Sequence, residues 1–289
     1  MKAPDFRYLK PKTLPECLSL LAEHGDLAQV LAGGQSLMPL LNLRLAAPAV
    51  LIDINGLSEL SGIREADGSI TIGALERHEE IAQSAIVRQR LPLLADAAPH
   101  IAHIAIRARG TIGGSVALAD PAAEWPACCL ALGAEIELAS TRGRRRVAAA
   151  DYFQGLYTTA RQADELVAAI HFPPAAPNAV HAFREISRRR GDFAIAGLAL
   201  AALRTGETLH NVRLAFFGVS DRPILASNAM AALEGRPLGA SMIEAACKAL
   251  GAELSPPEDP AYPAAYKRQV ATTLLARILG DLQAELLDA

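Results

Sequence analysis

The chain has 289 residues, 51% of them hydrophobic, enough for a large core and two or three structural units. Charged residues make up 20% and the formal net charge is -3, which argues against a nucleic-acid binder. The longest apolar run, residues 193–203, has 11 residues and contains Gly197, too few to cross a bilayer as a helix. Residues 1–12 carry charges and prolines but no apolar signal-peptide core, so a cytoplasmic protein is expected. Cys17, Cys128, Cys129 and Cys247 form no C-x-x-C pair and read as buried free thiols, not as ligands of an iron–sulfur cluster or zinc.

In chain order, Thr13-Leu14-Pro15-Glu16 predicts a capping box, with a helix behind it that ends at Gly25. Residues 28–32 read as a buried strand and Gly33-Gly34-Gln35-Ser36 as a turn. Ser36 is placed to cap a second helix to about residue 45, and residues 49–54 read as another strand. Strand, turn, helix, strand is a βαβ unit, so the two strands should be parallel. Residues 63–72 predict a hairpin turning at Asp67-Gly68, and residues 76–98 a helical stretch. A second glycine turn, residues 109–115, follows. Residues 134–139 and 146–149 predict a hairpin around Arg142-Gly143, and residues 165–172 a weakly alternating strand ended by Pro173-Pro174. Beyond a Pro-rich linker come strands near 180–188, 195–203 and 209–219, then helices near 226–234, 241–251 and 261–288. The class is α+β.

The two glycine turns carry the chemistry. Glycine admits φ > 0 and leaves no Cβ in a ligand's way, and successive amides in such a turn make a nest for anions. Neither turn has the Gly-Lys-Ser/Thr of a P-loop, and no G-x-G-x-x-G occurs. A nucleotide here would be held mainly by backbone amides, which suits a diphosphate bridging both turns.

Leu31-Ala32-Gly33-Gly34-Gln35-Ser36-Leu37, Gly110-Thr111-Ile112-Gly113-Gly114-Ser115 and Asp120-Pro121-Ala122-Ala123-Glu124 resemble the FAD-binding medium subunits of aerobic carbon monoxide dehydrogenases and related xanthine-dehydrogenase-type molybdenum hydroxylases. Arg189-Arg190-Gly191-Asp192-Phe193-Ala194-Ile195-Ala196 resembles the start of that family's C-terminal domain. The resemblance implies a two-part FAD-binding domain of the vanillyl-alcohol-oxidase (PCMH) type over residues 1–175, divided into a βαβ-containing part (1–57) and an antiparallel-sheet part (58–175). A C-terminal α+β domain with a small antiparallel sheet and a helical bundle is expected over 178–289. It implies that FAD is held non-covalently, its diphosphate by Ala32, Gly33, Gly34, Gln35 and Ser36 and by Thr111, Ile112, Gly113, Gly114 and Ser115. Glu124 falls where an acidic residue meets ribityl or ribose hydroxyls, Ile101 and Val167 where apolar contacts are made, and Phe193 where an aromatic lies against the isoalloxazine. Two positions depart from the pattern: Glu185 stands where many relatives have lysine, and Ala108 where many have asparagine.

By the same resemblance, the chain passes electrons within a heterotrimer, alone or dimerised, to an external acceptor. The molybdenum cofactor and the 2Fe–2S clusters would sit only on a large and a small partner subunit. No catalytic acid or base and no metal site is read in this chain. His100 and His103 share a helical spacing but lack a third ligand. The Arg142, Arg144, Arg145, Arg146 run reads as a solvated hairpin tip before a docking patch, and Arg188-Arg189-Arg190 equally as solvated or as a cofactor or partner contact. The rival enzyme reading is a free-standing flavoprotein oxidase or reductase of the same superfold, which would turn over alone; the non-enzymatic rival is a scaffold that has lost FAD.

Overall fold

A computed structural model describes residues 2–66 and 68–287. The first unit is a parallel sheet of β1 (Arg7–Leu9), β2 (Ala28–Leu31) and β3 (Val50–Asp53) in the order β1-β3-β2. The predicted parallel pair is β2 and β3. The sequence gives no signal for β1, three residues that earn their place by pairing with β3. Thr13 accepts from the Glu16 amide at 3.3 Å, but the Glu16 carboxylate accepts from the Lys12 amide, at 2.7 Å, so the capping box is displaced by one residue. Gly25 ends that helix at φ +49. Ser36 makes no side-chain cap, and the helix after it runs only from Leu37 to Asn42, shorter than predicted; its serine faces the cleft described below.

The second unit is an antiparallel sheet of β4 (Ile63–Ala66), β5 (Ser69–Gly73), β6 (Glu135–Ser140), β7 (Gly143–Ala148) and β10 (Leu166–Phe172), with β8 (Phe153–Gly155) and β9 (Thr158–Thr159) as a separate ribbon. Its order is β4-β5-β10-β6-β7. Of the predicted Asp67-Gly68 turn, Asp67 lies outside the described residues; Ala66 and Ser69 pair on either side of it. The central strand β10 is buried along its whole length, which is why its alternation in sequence is weak. Leu166 and Ala168 enter the core of the first unit, while Val167, Ile170 and Phe172 enter that of the second.

The helix predicted over 76–98 is instead three: His78–Gln83, Ala85–Arg90 and Pro92–Ala97. Ser84 is extended at ψ 124 and caps the second through the Val87 amide, and Leu91 breaks its end at ψ 54, ahead of Pro92, as a residue preceding proline tends to. The arginines of the β6–β7 hairpin are neither bare nor clustered for docking. Arg142 pairs with Asp164, Arg144 with Glu137, Arg145 with Glu165 and Arg146 with Glu135.

The third unit is the sheet β11 (Ala179–Ser187), β12 (Ala194–Thr205), β13 (Thr208–Phe217) and β14 (Ile224–Leu225), with β15 (Arg236–Pro237) pairing to β13. Ala199, Ala215 and Phe217 join the core around the helix Glu124–Leu132, whose residues from Glu124 to Ala131 are all buried. The opposite face, with Leu198, Leu200, Leu214 and Phe216, packs on Leu274, Leu275 and Ile278 of the helix Ala264–Leu287. Among the described residues no helix is long and apolar enough to cross a membrane.

Candidate functional site

The two glycine turns meet although Gly33 and Gly113 are 80 positions apart in sequence. A short bridge between Arg77 and Thr111 brings the second turn onto the end of β5: the amides of Ile112 and Gly113 donate to Glu76 O (3.0 Å) and Ala74 O (2.9 Å), and His78 donates to Gly110 O (3.0 Å). The first turn then lies directly on the second. A Cβ on Gly33 would stand 2.4 Å from Arg109 O and 2.7 Å from Gly110 Cα. Side chains strap the pair together. Asn55 Nδ2 donates to Ala32 O (2.8 Å), Asn55 Oδ1 accepts from Arg77 (2.8 Å), and Arg77 donates in turn to Arg109 O. Asp53 anchors the strap through the Asn55 side chain and amide and the Tyr8 hydroxyl.

The turns offer different chemistry. Among the described residues, the amides of Gly33, Gly34, Gln35 and Ser36 donate to no group of the protein. Gly34 sits at φ +73, and Gln35 Nε2 holds Gly33 O at 2.8 Å. Four successive free donors around a positive φ are what an anion nest requires. In the second turn the amides are committed: Ile112 and Gly113 as above, Gly114 to Thr111 Oγ1 (3.1 Å) and Ser115 to Thr111 O (3.1 Å). The free amides are thus on the first turn, while the second packs closely on the residues after β5 and offers the hydroxyls of Thr111 and Ser115.

Both turns open on one cleft of about 550 Å³. Of the residues the sequence pointed to, Ala32, Gly33, Gly34, Gln35, Ser36, Ile101, Thr111, Gly113, Gly114, Ser115, Glu124, Val167 and Phe193 line it. Ile112 does not; its side chain is fully buried in the second core. Phe193 is 67% exposed at the cleft, beside Gly191 and Asp192. Glu124, the first residue of its helix, is 7% exposed. Burial first, and then the neighbouring charges of Glu185 and Asp120, push its carboxyl up to about 8. Asp120 caps the following turn, accepting from the Ala122 amide at 2.9 Å. Glu185 lies outside the cleft, its carboxylate 3.5 Å from His100 Nδ1. Among the described residues, no three His, Cys, Asp or Glu side chains gather to hold a metal.

Three cleft residues had no signal in the sequence, because their partners are remote. Glu165 is held by Arg145 at 2.6 and 2.7 Å, Tyr157 donates to Asp120 at 3.2 Å, and His78 accepts from the Trp125 indole at 2.9 Å.

An open amide turn, apolar walls from Ile101 and Val167, a buried carboxyl and an aromatic at the mouth make a cleft that can take a dinucleotide, and similarity to known proteins makes the class an FAD-binding flavoprotein. Residues 4–175 match the model of the FAD binding domain in molybdopterin dehydrogenase, and residues 181–282 that of the CO dehydrogenase flavoprotein C-terminal domain. The chain is 37% identical to the carbon monoxide dehydrogenase medium chain of Hydrogenophaga pseudoflava, with 96% of this chain and 97% of that one covered. It is 36% identical to the caffeine dehydrogenase subunit beta of Pseudomonas sp. (strain CBB1), covering 96% and 95%. The solved carbon monoxide dehydrogenase of H. pseudoflava that lacks the Mo-pyranopterin moiety superimposes with a TM-score of 0.94 at 39% identity, covering 96% of both chains. The chain therefore belongs to the FAD-binding medium subunits of the molybdenum hydroxylase family.

Proposed function

We propose that this chain is the electron-transfer subunit of a heterotrimeric molybdenum hydroxylase, holding FAD non-covalently in the cleft between residues 1–57 and 58–175, with residues 178–289 as a C-terminal domain. The observation that carries the reading is the nest of four unpaired amides in a turn seated on a second glycine turn. When bound, FAD would supply the redox chemistry, taking electrons from 2Fe–2S clusters on a small subunit and passing them to an external acceptor. The molybdenum cofactor and the substrate pocket would belong to a large subunit, and the assembly would work in the cytoplasm.

This chain's own residues bind and orient. The amides of Gly33–Ser36, with Thr111 and Ser115, hold the diphosphate. Glu124 accepts from ribityl or ribose hydroxyls, and Ile101 and Val167 exclude water along the apolar walls. Phe193 covers the ring. Because its side chain is 67% exposed, Phe193→Ala should leave the melting temperature within about 1 °C while changing flavin fluorescence and reoxidation rate. A flavin spectrum and reoxidation rate equal to the parent's would remove Phe193 from the site.

The test of the whole is expression in two settings. Alone, the chain should carry FAD that acid precipitation releases into the supernatant, and should oxidise no substrate with a dye acceptor. Co-expressed with the iron–sulfur and molybdenum subunits encoded beside it, it should purify as a complex whose flavin is reduced on addition of substrate. Substrate-dependent turnover by the isolated chain would establish the self-sufficient flavoenzyme instead.

A further inference from the structure

His78 lines the cleft where the two turns meet. Its backbone amide donates to Gly110 O, and a Cβ on Gly110 would stand 2.6 Å from His78 Nε2. Gly110 Cα is also the atom that Gly33 packs against. The ring is 6% exposed and lines the cleft. Its far nitrogen is occupied: the indole N–H of the fully buried Trp125 donates to Nδ1 at 2.9 Å. A nitrogen that accepts carries no hydrogen, so the hydrogen of the neutral ring must be on Nε2. Among the described residues Nε2 has no hydrogen-bond partner.

Charge around the cleft makes such a donor valuable. Among the described lining residues Arg161 is the one cation of the lysine and arginine type, and its guanidinium already donates to Gln162 O and Glu165 O. Arg77 and Arg107 stand behind His78 but are spent on other acceptors: Arg77 on Arg109 O and Asn55, Arg107 on Glu79 and the carbonyls of Ile101 and Ala102. At the glycine turns themselves, a diphosphate meets mainly neutral donors. We propose that His78, its tautomer fixed by Trp125, donates its Nε2 hydrogen to the diphosphate of the bound dinucleotide and so completes the nest of Gly33–Ser36. Burial, then the charges of Arg77 and Arg107, hold the imidazole down to about 4, so the ring stays neutral at physiological pH and keeps the lone pair Trp125 needs.

The inference rests on FAD occupying the cleft, and the test separates the two. Histidine-selective 15N labelling of the chain, stripped of FAD and reloaded, reads the tautomer directly. His78 should show hydrogen on Nε2 in both states, with the Nε2 resonance moving on FAD addition. His78→Asn retains an acceptor for Trp125 but cannot reach as far as Nε2; it should weaken FAD binding at least 10-fold and shift the 31P signals of bound FAD. His78→Gln, with an amide donor near the Nε2 position, should recover part of the loss. Hydrogen on Nδ1, or parental FAD affinity and 31P shifts in His78→Asn, would overturn the proposal while FAD binding by the parent stands. If the variant does not fold, the parent still decides it: an Nε2 resonance that does not move on FAD addition would overturn the proposal. A parent chain that takes up no FAD would overturn the functional reading, and this inference with it.

Discussion

Gly33→Val and Gly113→Val should each yield a chain without FAD. The Cβ of residue 33 would sit 2.4 Å from Arg109 O, and that of residue 113 would sit 2.4 Å from Ala74 Cβ and 2.6 Å from Ala74 O. These are backbone and near-backbone atoms that cannot swing aside, so relief requires the two turns, or the second turn and β5, to part. Overpacking of this kind costs typically about 1–3 kcal/mol, and a branched side chain on a rigid neighbour lies at the upper end or beyond. The fold has enough core elsewhere to survive that, whereas a nest displaced by an ångström does not keep its ligand. Gly239→Ala is the control, since nothing lies within 4 Å of its Cβ and its backbone is extended at φ -135; it should retain FAD. The measurement is flavin per chain after gel filtration. Parental flavin content in both valine variants would show that these turns do not form the site.

The second large effect is expected at Glu124, and on stability it runs the other way: Glu124→Gln should stabilise the FAD-free chain at pH 8. The folded carboxyl titrates at about 8 against an ordinary 4.5. Between those values the folded chain keeps a proton that the unfolded chain has released. The unfolded state then binds fewer protons, so stability falls as pH rises through this window and is lowest above it. At about 1.4 kcal/mol for each pH unit, the burial penalty at pH 8 is of the order of several kcal/mol. A neutral amide of the same shape avoids it. Thermal unfolding of the FAD-free variant at pH 8 should be higher than the parent's by several degrees, the difference vanishing near pH 4. FAD affinity should drop at the same time, by roughly 2–10-fold, because the amide offers one acceptor oxygen where the carboxyl offers two and a net hydrogen bond contributes about 0.5–1.5 kcal/mol. A variant no more stable than the parent at pH 8 would mean that Glu124 is not the strained group its position makes it.

How much of this was legible beforehand varied with the distance over which the cause acts. The first glycine turn, the parallel pair around it and the hairpin β6–β7 follow from local pattern. The breaks at Ser84 and Leu91 turn on single backbone torsions, and a helical composition across residues 76–98 hides them. β1 is too short to leave a period. The weak alternation of β10 comes from two cores meeting on it, which no window of sequence contains. In the site, glycine at 33 and 113 was read as freedom for φ > 0 and for ligand approach. In the fold only Gly34 of the first turn has positive φ, and Gly33 and Gly113 are small because backbone meets backbone. His78 stayed invisible because the Trp125 that fixes its tautomer is 47 residues away.

The strap from Ala32 through Asn55 and Arg77 to Arg109 has a consequence for how the protein is made. No segment that emerges early from the ribosome contains all the residues proposed to hold FAD. Residues 1–57 carry the nest but not the surface it rests on, which arrives with Arg109 and Gly110; the buried carboxyl follows at Glu124, and Val167 comes later still. Loading must therefore follow synthesis of well over half of the chain. Once loaded, the ligand adds to the shared apolar core and the hydrogen bonds that already join the two halves, and it stabilises only the joined form. Cofactor uptake would then act as a quality mark on the finished subunit, separating chains fit for assembly from those left to proteolysis.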